Sequence, residues 1–294
     1  MKSAIDCVPC FVRQTLEAMR YISANPSVQE KVLREILHYL AEFDFDQSPP
    51  VVGLWIHRRI RDLTGNDDPY KEVKKRFNRL AAELMPELRT KVNSSPDRFK
   101  TSVHLAIIGN VIDFGAKSGI TEDAVRHSVA ETISGPFYGD IENLRNEIEM
   151  ASNILYLADN AGEIFFDRLL IEELPVEKVT VAVRGKSVIN DATMDDAYAA
   201  GLHEIVKVID NGSNAPGTIL SECSPEFIKC FREADLIIAK GQGNYETLND
   251  EKKKIFFLFR IKWPVVASYT GFPTNTNVLT TTLQPPVKIK KEKE

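Results

Sequence analysis

Polar residues of a few chemical types follow four short apolar runs in the second half of the chain. Residues 159–163 read Asp-Asn-Ala-Gly-Glu after the apolar run 154–158, and residues 240–244 read Lys-Gly-Gln-Gly-Asn after the run 236–239. Carboxylate and amide oxygens are hard ligands that suit Mg²⁺ or Mn²⁺. A lysine beside two glycines can place a point charge and backbone N–H groups around a phosphate. These two blocks indicate a site for a hard cation and a phosphate group.

Two more polar blocks lie between these two in the sequence, and each follows another short apolar run. Residues 184–186 read Arg-Gly-Lys, with Asn190 and Asp191 a few positions on, and residues 210–214 read Asp-Asn-Gly-Ser-Asn. Each block alone has a structural explanation, because Asp-Asn is a common turn sequence and Asn190-Asp191 can cap a helix that begins at Ala192. A lysine before glycine can simply end a strand. The occurrence of such blocks after four successive runs favours a functional site.

The elements that would bring these blocks together are parallel strands. Between residues 154 and 239, short continuous apolar runs alternate with helical patterns, which is typical of a parallel sheet with helices on both faces. The runs 255–259 and 278–279 are predicted to complete the sheet. Ligands bind outside the carboxyl ends of the strands in such sheets. We therefore predict an α/β fold with a Rossmann-like, mostly parallel sheet whose rim carries the polar blocks.

The first half of the chain has helical periodicity instead. Residues 1–150 are predicted to form an all-helical region, and residues 151–294 are predicted to form the α/β domain that binds metal and phosphate. One helix is expected to open at Ser27, with Glu30 in the capping-box position. Another helix is expected to end at Pro86, because proline removes a backbone donor.

Composition and charge exclude several classes of protein. The 294 residues are 43% hydrophobic and 27% charged, as in ordinary globular proteins, and the net charge of −5 argues against a nucleic-acid binder. No apolar run approaches the ~20 residues of a membrane helix, so we expect no membrane partner. The first residues lack the apolar stretch of a signal peptide, and four cysteines do not imply a disulfide scaffold. We therefore expect a cytoplasmic protein, whereas its oligomeric state has no signal in the sequence.

Together the polar blocks resemble the damage-control phosphatase family. The matching segments run through nearly the whole chain and comprise residues 67–70, 109–113, 159–163, 184–193, 210–212 and 240–246. Residues 159–163 and 240–244 are the most specific of these, and residues 264–279 are the least similar stretch. The pair Cys7 and Cys10 resembles the cysteine-bearing prokaryotic and archaeal branch of the family.

The resemblance implies a fold, a reaction and a metal site. Members of the family hydrolyse phosphate esters of small metabolites, sugar phosphates among them, with a divalent cation such as Mg²⁺, Mn²⁺, Co²⁺ or Ni²⁺. By the resemblance, Asp159, Asn160 and Asp191 would bind the metal, and Lys240 would contact the phosphate. We expect a phosphatase of small phosphorylated metabolites, with a helical N-terminal region packed against a Rossmann-like sheet.

The expected mechanism is in-line attack on phosphorus by a metal-activated water. The residues with predicted catalytic roles are Asp159, Glu163 and Asp191. Glu163 would orient the water or, alternatively, cap its own helix, and a covalent aspartyl-phosphate at Asp159 is the mechanistic alternative. The predicted substrate contacts are Asn110, Asp113, Asn190, Lys240, Gly241 and Gly243. The first two lie about one helical turn apart, so they can face the cleft or form a polar pair between packed helices.

Two other functions stay open on the sequence, as does the role of the cysteine pair. A nucleotide- or methyl-donor-dependent transferase could use the same sheet, although no glycine-rich loop follows the first apolar run. A module could also bind metal or phosphate without catalysis. Cys7-x-x-Cys10 can be half of a zinc site or a redox pair. A structural role is favoured, because thiolates suit hard cations poorly.

Overall fold

The computed structural model of the protein describes residues 1–22, 25–109 and 136–283. Within these ranges the chain forms eleven α-helices and seven β-strands. The helices are α1 Cys7–Tyr21, α2 Pro26–Glu42, α3 Pro49–Thr64, α4 Lys71–Asn93, α5 Arg98–Ile108, α6 Ile141–Met150, α7 Glu163–Ile171, α8 Met194–Ala199, α9 Pro225–Glu233, α10 Gly241–Leu248 and α11 Pro264–Thr270. The strands are β1 Phe137–Tyr138, β2 Ile154–Leu157, β3 Val179–Val183, β4 Lys207–Asp210, β5 Leu236–Lys240, β6 Ile255–Arg260 and β7 Asn277–Thr281. None of these helices is long and apolar enough to span a lipid bilayer.

The seven strands form one sheet in the order β1-β7-β6-β5-β2-β3-β4. Neighbouring strands are parallel except for β6 and β7, which run antiparallel. From β2 the chain builds the sheet outward through β3 to β4, and it then returns to the other side of β2 with β5 and β6. The strand order therefore reverses between β2 and β5, and ligands bind in the crevice at such a point. The predicted Rossmann-like, mostly parallel sheet is confirmed.

The central strands are apolar along their whole length because helices cover both faces of the sheet. All four residues of β2 and all five of β5 are buried. Successive side chains of a strand point to opposite faces. Tyr156 accordingly packs in a cluster with residues of α4 to α8, whereas Leu155 and Leu157 pack with residues of α9 to α11. The layers that flank the sheet therefore follow from the alternation within each strand.

The N-terminal helices fall into two groups. Helices α1 to α3 pack around a distinct hydrophobic core. Helices α4 and α5 instead share the hydrophobic cluster of the sheet, and β1, which precedes residue 150, pairs with β7 at the sheet edge. The helical N-terminal region is confirmed. The domain boundary at residue 150 stays a prediction, and the packing of α4, α5 and β1 crosses it.

Two helix ends differ from those that the sequence predicts. Helix α2 begins one residue before Ser27, because Asn25 is the N-cap and its side-chain oxygen accepts a hydrogen bond from the Ser27 backbone N–H at 3.0 Å. Helix α4 does not end at Pro86 but continues beyond it. The helix continues because the side chains of Leu88 and Val92 beyond the proline are buried in the shared cluster. Burial therefore outweighs the hydrogen bond that the proline cannot make.

We expect helices α4 and α5 to unfold together with the sheet in one cooperative transition, because they share its hydrophobic cluster. Phe77 of α4 is 1% exposed, and its Cβ would lie 2.9 Å from a Cβ added at Gly162, in the turn after β2. Phe77→Ala should lower the free energy of unfolding by about 3–5 kcal/mol in urea denaturation. The control Leu37→Ala, at a 47% exposed position, should change it by less than about 1 kcal/mol. Unfolding of α4 and α5 in an earlier transition than the sheet would contradict the shared core.

Candidate metal and phosphate site

The polar block after β2 lies at the point where the strand order reverses. Asp159 follows β2 closely, and Gly241 follows β5, the strand that pairs with β2. Gly241 has a φ of 79°, and a Cβ placed on it would lie 1.9 Å from Asp159 Oδ2. Only glycine therefore lets the backbone after β5 close against the Asp159 carboxylate. The two most specific blocks meet at one rim, as the sequence predicted.

The loop after β3 brings Asp191 to the same place. Asp191 pairs with Asn160 in an isolated antiparallel bridge, and residues paired in this way have Cα atoms about 5 Å apart. The carbonyl of Asn190 accepts a hydrogen bond from the Ala161 N–H at 2.8 Å. The N-cap of the following helix, α8, is Thr193. Asn190 and Asp191 therefore do not serve as the cap of that helix.

A buried arginine fixes the carboxylate of Asp191. Arg184 Nε donates to Asp191 Oδ2 at 2.7 Å, and the arginine side chain is only 2% exposed. Its two terminal nitrogens donate to Thr218 Oγ1 and Asn244 Oδ1, each at 3.3 Å. Asn244 belongs to α10, so these bonds tie the loop after β3 to the helix after β5. The position of Asp191 is therefore set by both sides of the crevice.

The side-chain amide of Asn160 is bonded to two carboxylates. Its Nδ2 donates to Asp159 Oδ2 at 2.6 Å and to Glu163 Oε2 at 2.9 Å. An ionised carboxylate only accepts hydrogen bonds, so the amide nitrogen must face both groups. The amide oxygen then points away from them. Asn160 in this orientation offers a hard oxygen ligand.

Lys240 does not lie at the exposed rim. Its ammonium is fully buried and donates to Ala106 O at 2.7 Å, to Glu163 Oε1 at 2.7 Å and to Asp167 Oδ1 at 2.5 Å. An ammonium has three donors, and these three acceptors engage all of them. Two acidic side chains of α7 therefore hold the ammonium beneath the rim. Direct contact between Lys240 and a phosphate stays a prediction.

The site contains more buried negative charge than buried positive charge. Among the residues that the structure describes, the buried carboxylates at the site are Asp159, Glu163, Asp167 and Asp191, and the buried cations beside them are Arg184 and Lys240. Four carboxylates and two cations leave a formal excess of two negative charges. Burial and the charges of Glu163 and Asp191 raise the pKa of Asp159 well above its ordinary value. Burial alone would lower the pKa of Lys240, but the carboxylates of Asp167 and Glu163 raise it above its ordinary value.

These residues fit a divalent cation with oxygen ligands. Asp159, Asp191 and the amide oxygen of Asn160 are hard donors of the kind that Mg²⁺ or Mn²⁺ prefers. One divalent cation would also offset the formal charge excess. In the part of the chain that the structure describes, no three His, Cys, Asp or Glu side chains form a group that could hold a metal ion. The amide oxygen of Asn160 completes the predicted set of three ligands.

The predicted substrate contacts are placed unevenly. Gly241 and Gly243 lie in the first turn of α10, where backbone N–H groups have no partner within the helix. Asn190 is 4% exposed and adjoins Asp191. Asn110 and Asp113 lie outside the described residues. The rim thus holds three of the predicted contacts in addition to the metal ligands.

The cysteine pair lies at the start of α1. Cys7 is buried and Cys10 is half-buried, and both thiols are free. Burial raises the pKa of each thiol. A raised pKa disfavours the thiolate, which is the form that attacks disulfides and binds metals. A structural role for the pair stays a prediction.

Sequence reasoning did not assign three residues that the structure brings to the site. Arg184 belongs to one of the polar blocks and was not among the predicted site residues. Asp167 lies one helical turn after Glu163 on α7, a spacing that puts both carboxylates on one face. Lys262 follows β6, which pairs with β5, and its charge opposes the effect of burial on the pKa of Asp159. A lysine just after the fifth apolar run was the available signal for this last residue.

A family model described as the damage-control phosphatase ARMT1-like domain matches residues 3–278. The chain belongs to the damage-control phosphatase family. The match spans the helical region and the sheet, so it includes every site residue named above. Membership of this family implies a divalent metal cofactor in general. The resemblance inferred from the polar blocks is confirmed.

Three archaeal relatives resemble the chain over nearly its whole length. A protein of Methanocaldococcus jannaschii, described as uncharacterized, is 36% identical over 93% of this chain and 93% of its own. A damage-control phosphatase of Pyrococcus horikoshii is 35% identical over 93% and 96%. A damage-control phosphatase of Archaeoglobus fulgidus is 36% identical over 92% and 96%. A crystal structure of a DUF89 family protein from Pyrococcus horikoshii has a TM-score of 0.88 and 33% identity, and it covers 96% of this chain and 99% of that chain.

Gly241→Ala should lower kcat/KM with a generic phosphatase substrate, p-nitrophenyl phosphate, by about 100-fold or more. The added Cβ would displace the Asp159 carboxylate, which lies 1.9 Å away. Gly65→Ala is the matched control, because Gly65 has a similar φ of 66° but no atom within 4 Å of an added Cβ. The control should lose about 1–2 kcal/mol of stability and keep its activity. Normal kinetics in Gly241→Ala would contradict the close approach of the two strand ends.

Proposed function

We propose that this damage-control phosphatase hydrolyses phosphate monoesters of small metabolites, sugar phosphates or related damaged metabolites among them, in a reaction that requires a divalent cation. The observation that carries the proposal is the excess of two buried negative charges at the reversal point of the sheet. Two curated relatives carry the name damage-control phosphatase. Family membership supports phosphatase activity, and no observation favours the transferase or the non-catalytic binding module.

We assign Asp159, Asn160 and Asp191 as the residues that would hold the cation, which we propose to be Mg²⁺, Mn²⁺, Co²⁺ or Ni²⁺. When bound, the cation would supply charge neutralisation on the transferring oxygens and a lowered pKa for the attacking water. The backbone at Gly241 lies close against the Asp159 carboxylate, and Arg184 holds Asp191 by a hydrogen bond. The ligand set is therefore positioned before any ion arrives, which favours tight and selective binding.

The phosphoryl group would lie between the cation and the start of α10. Backbone N–H groups at a helix N-terminus bind anions, and those of Gly241 and Gly243 lie in the first turn of α10. Lys262 would supply the positive charge at this rim. Its backbone N–H donates to Gln242 Oε1 at 2.5 Å, so the residue is fixed beside that helix turn. The three donors of the Lys240 ammonium are all engaged, so Lys240 would affect the site through its hydrogen bond to Glu163.

The direct attack of water is the mechanism that we propose. Asp159 Oδ2 accepts a short hydrogen bond from Asn160 and packs against the Gly241 backbone, which suits a fixed ligand. No observation favours a covalent aspartyl-phosphate at this residue. The predicted water-orienting role of Glu163 stays a prediction, since its two oxygens accept hydrogen bonds from Lys240 and Asn160. Asn190 is placed to contact the substrate beside the metal.

Asp159→Ala and Asp191→Ala should each abolish turnover of p-nitrophenyl phosphate with Mn²⁺, because each removes one of the two carboxylates of the proposed ligand set. The circular dichroism spectrum should remain that of a folded protein. Asp195→Ala is the matched control, since Asp195 is an exposed carboxylate a few residues along the same loop and helix. It should retain full activity. Turnover by either ligand variant at the rate of the unaltered protein would rule out the assignment of that residue.

Lys262→Ala should lower kcat/KM by about two to three powers of ten, comparable to the loss of one transition-state donor. The affinity for Mn²⁺ without substrate should barely change, because Lys262 is not a ligand. Lys252→Ala, which removes an exposed lysine before β6, should leave both quantities unchanged. Isothermal titration and steady-state kinetics measure the two effects separately. Loss of metal affinity with normal kinetics at saturating Mn²⁺ would show that Lys262 acts on the metal site and not on the phosphate.

A further inference from the structure

A continuous chain of hydrogen bonds runs beneath the metal site, and it ends on the side-chain amide of one predicted ligand. We propose that Asp167, acting through Lys240 and Glu163, is a positioning residue that keeps the Asn160 amide oxygen turned toward the divalent cation. The proposal rests on the proposed function, because it assumes that Asn160 is a metal ligand. Asp167 itself is not among the predicted metal ligands or substrate contacts.

The lower end of the chain is anchored in the sheet. Tyr156, on β2, donates its hydroxyl hydrogen to Asp167 Oδ1 at 2.8 Å. The same carboxylate oxygen accepts from the Lys240 ammonium at 2.5 Å. Tyr156, Asp167 and Lys240 are all completely buried. Asp167 Oδ2 is buried without a hydrogen-bond partner, so the contacts of Oδ1 are what hold this carboxylate.

Lys240 transmits this position to Glu163. The ammonium bridges Asp167 Oδ1 and Glu163 Oε1, and its third donor binds the Ala106 carbonyl of α5. Glu163 and Asp167 are four residues apart on α7, so their carboxylates lie on the same face of the helix. Two carboxylates in this position would repel each other without a cation between them. The Lys240 ammonium therefore fixes both carboxylates in one geometry.

Glu163 in turn determines which atom of Asn160 faces the cation. A side-chain amide can be turned by 180°, which exchanges a donor nitrogen for an acceptor oxygen. Both hydrogens of Asn160 Nδ2 are taken, one by Asp159 Oδ2 and one by Glu163 Oε2. The reversed amide would place its oxygen against two carboxylates. Since the Asp159 carboxylate would also bind the cation, Glu163 is the acceptor whose charge stays fully available to orient the amide.

Loss of Asp167 should therefore weaken metal binding without removing a ligand. Partners of metal ligands that lie one shell further out typically change metal affinity by about 10–100-fold when they are mutated. Without the Asp167 carboxylate, Lys240 keeps Glu163 as its one anionic partner among the described residues, and the geometry of Glu163 is no longer held from both sides. The Asn160 amide then loses the fixed acceptor that orients it. Substrate contacts at the rim are untouched.

The test compares Asp167→Asn with Glu172→Gln by isothermal titration of the full-length, metal-free protein with MnCl₂. Asp167→Asn should raise the Kd for Mn²⁺ by about 10–100-fold, and kcat should return to within a few-fold of normal at saturating Mn²⁺. Glu172, just after the end of α7, binds Arg89 and Arg168, so its variant loses ion pairs of the same helix region but no part of the chain of bonds. Its Kd should stay unchanged even if its melting temperature falls.

Two further variants keep the result decisive. Tyr156→Phe removes a single hydroxyl and should raise the Kd by about two- to tenfold, the effect of one hydrogen bond, so it serves even where Asp167→Asn fails to fold. Asp159→Ala should abolish Mn²⁺ binding. An unchanged Kd in Asp167→Asn and Tyr156→Phe, together with lost binding in Asp159→Ala, would overturn the positioning role and leave the metal site standing. Normal binding in Asp159→Ala would instead overturn the proposed site itself.

Discussion

The burial of four carboxylates around two cations is the constraint on which the rest of this structure depends. Desolvation makes an uncompensated buried charge expensive, so each carboxylate must have a cation or a hydrogen-bond donor close by. Arg184 forms an ion pair with Asp191, and Lys240 forms ion pairs with Glu163 and Asp167. The remaining excess is suited to a divalent cation. A fold that keeps these charges buried is thus already arranged to bind one.

The backbone adapts to this constraint at two glycines. Gly241 lets the chain after β5 close on the Asp159 carboxylate, and Gly162 lets the turn after β2 approach Phe77 of α4, at 2.9 Å from an added Cβ. Helix α4 is thereby packed directly behind the turn that carries Asp159. The helical half of the chain consequently stabilises the site, since it shares a hydrophobic cluster with the sheet. The packing of α4 against the sheet thus crosses the predicted boundary at residue 150.

Much of the fold could be predicted from the sequence, because short apolar runs that alternate with helical patterns are typical of parallel strands covered on both faces. The end of each run then located the rim, and the glycines near it marked the close approaches. The direction of Lys240 could not be predicted in this way. Its side chain leaves the last position of β5 toward α7, where the i,i+4 pair Glu163 and Asp167 attracts it. The sequence contains this pair but does not show its contact with Lys240, because that contact depends on how the strand and the helix pack together.

Helix α4, which continues through Pro86, shows the same limit of sequence-based prediction, because burial in a shared core outweighed the local effect of the proline.

The most direct measurement of the central claim is the anomalous difference map of a crystal of the protein grown with Mn²⁺. The account predicts a single strong peak at the reversal point, with oxygens of Asp159, Asp191 and the Asn160 amide within about 2.5 Å of it. A peak elsewhere, or one that lies outside bonding distance of these three side chains, would contradict the account.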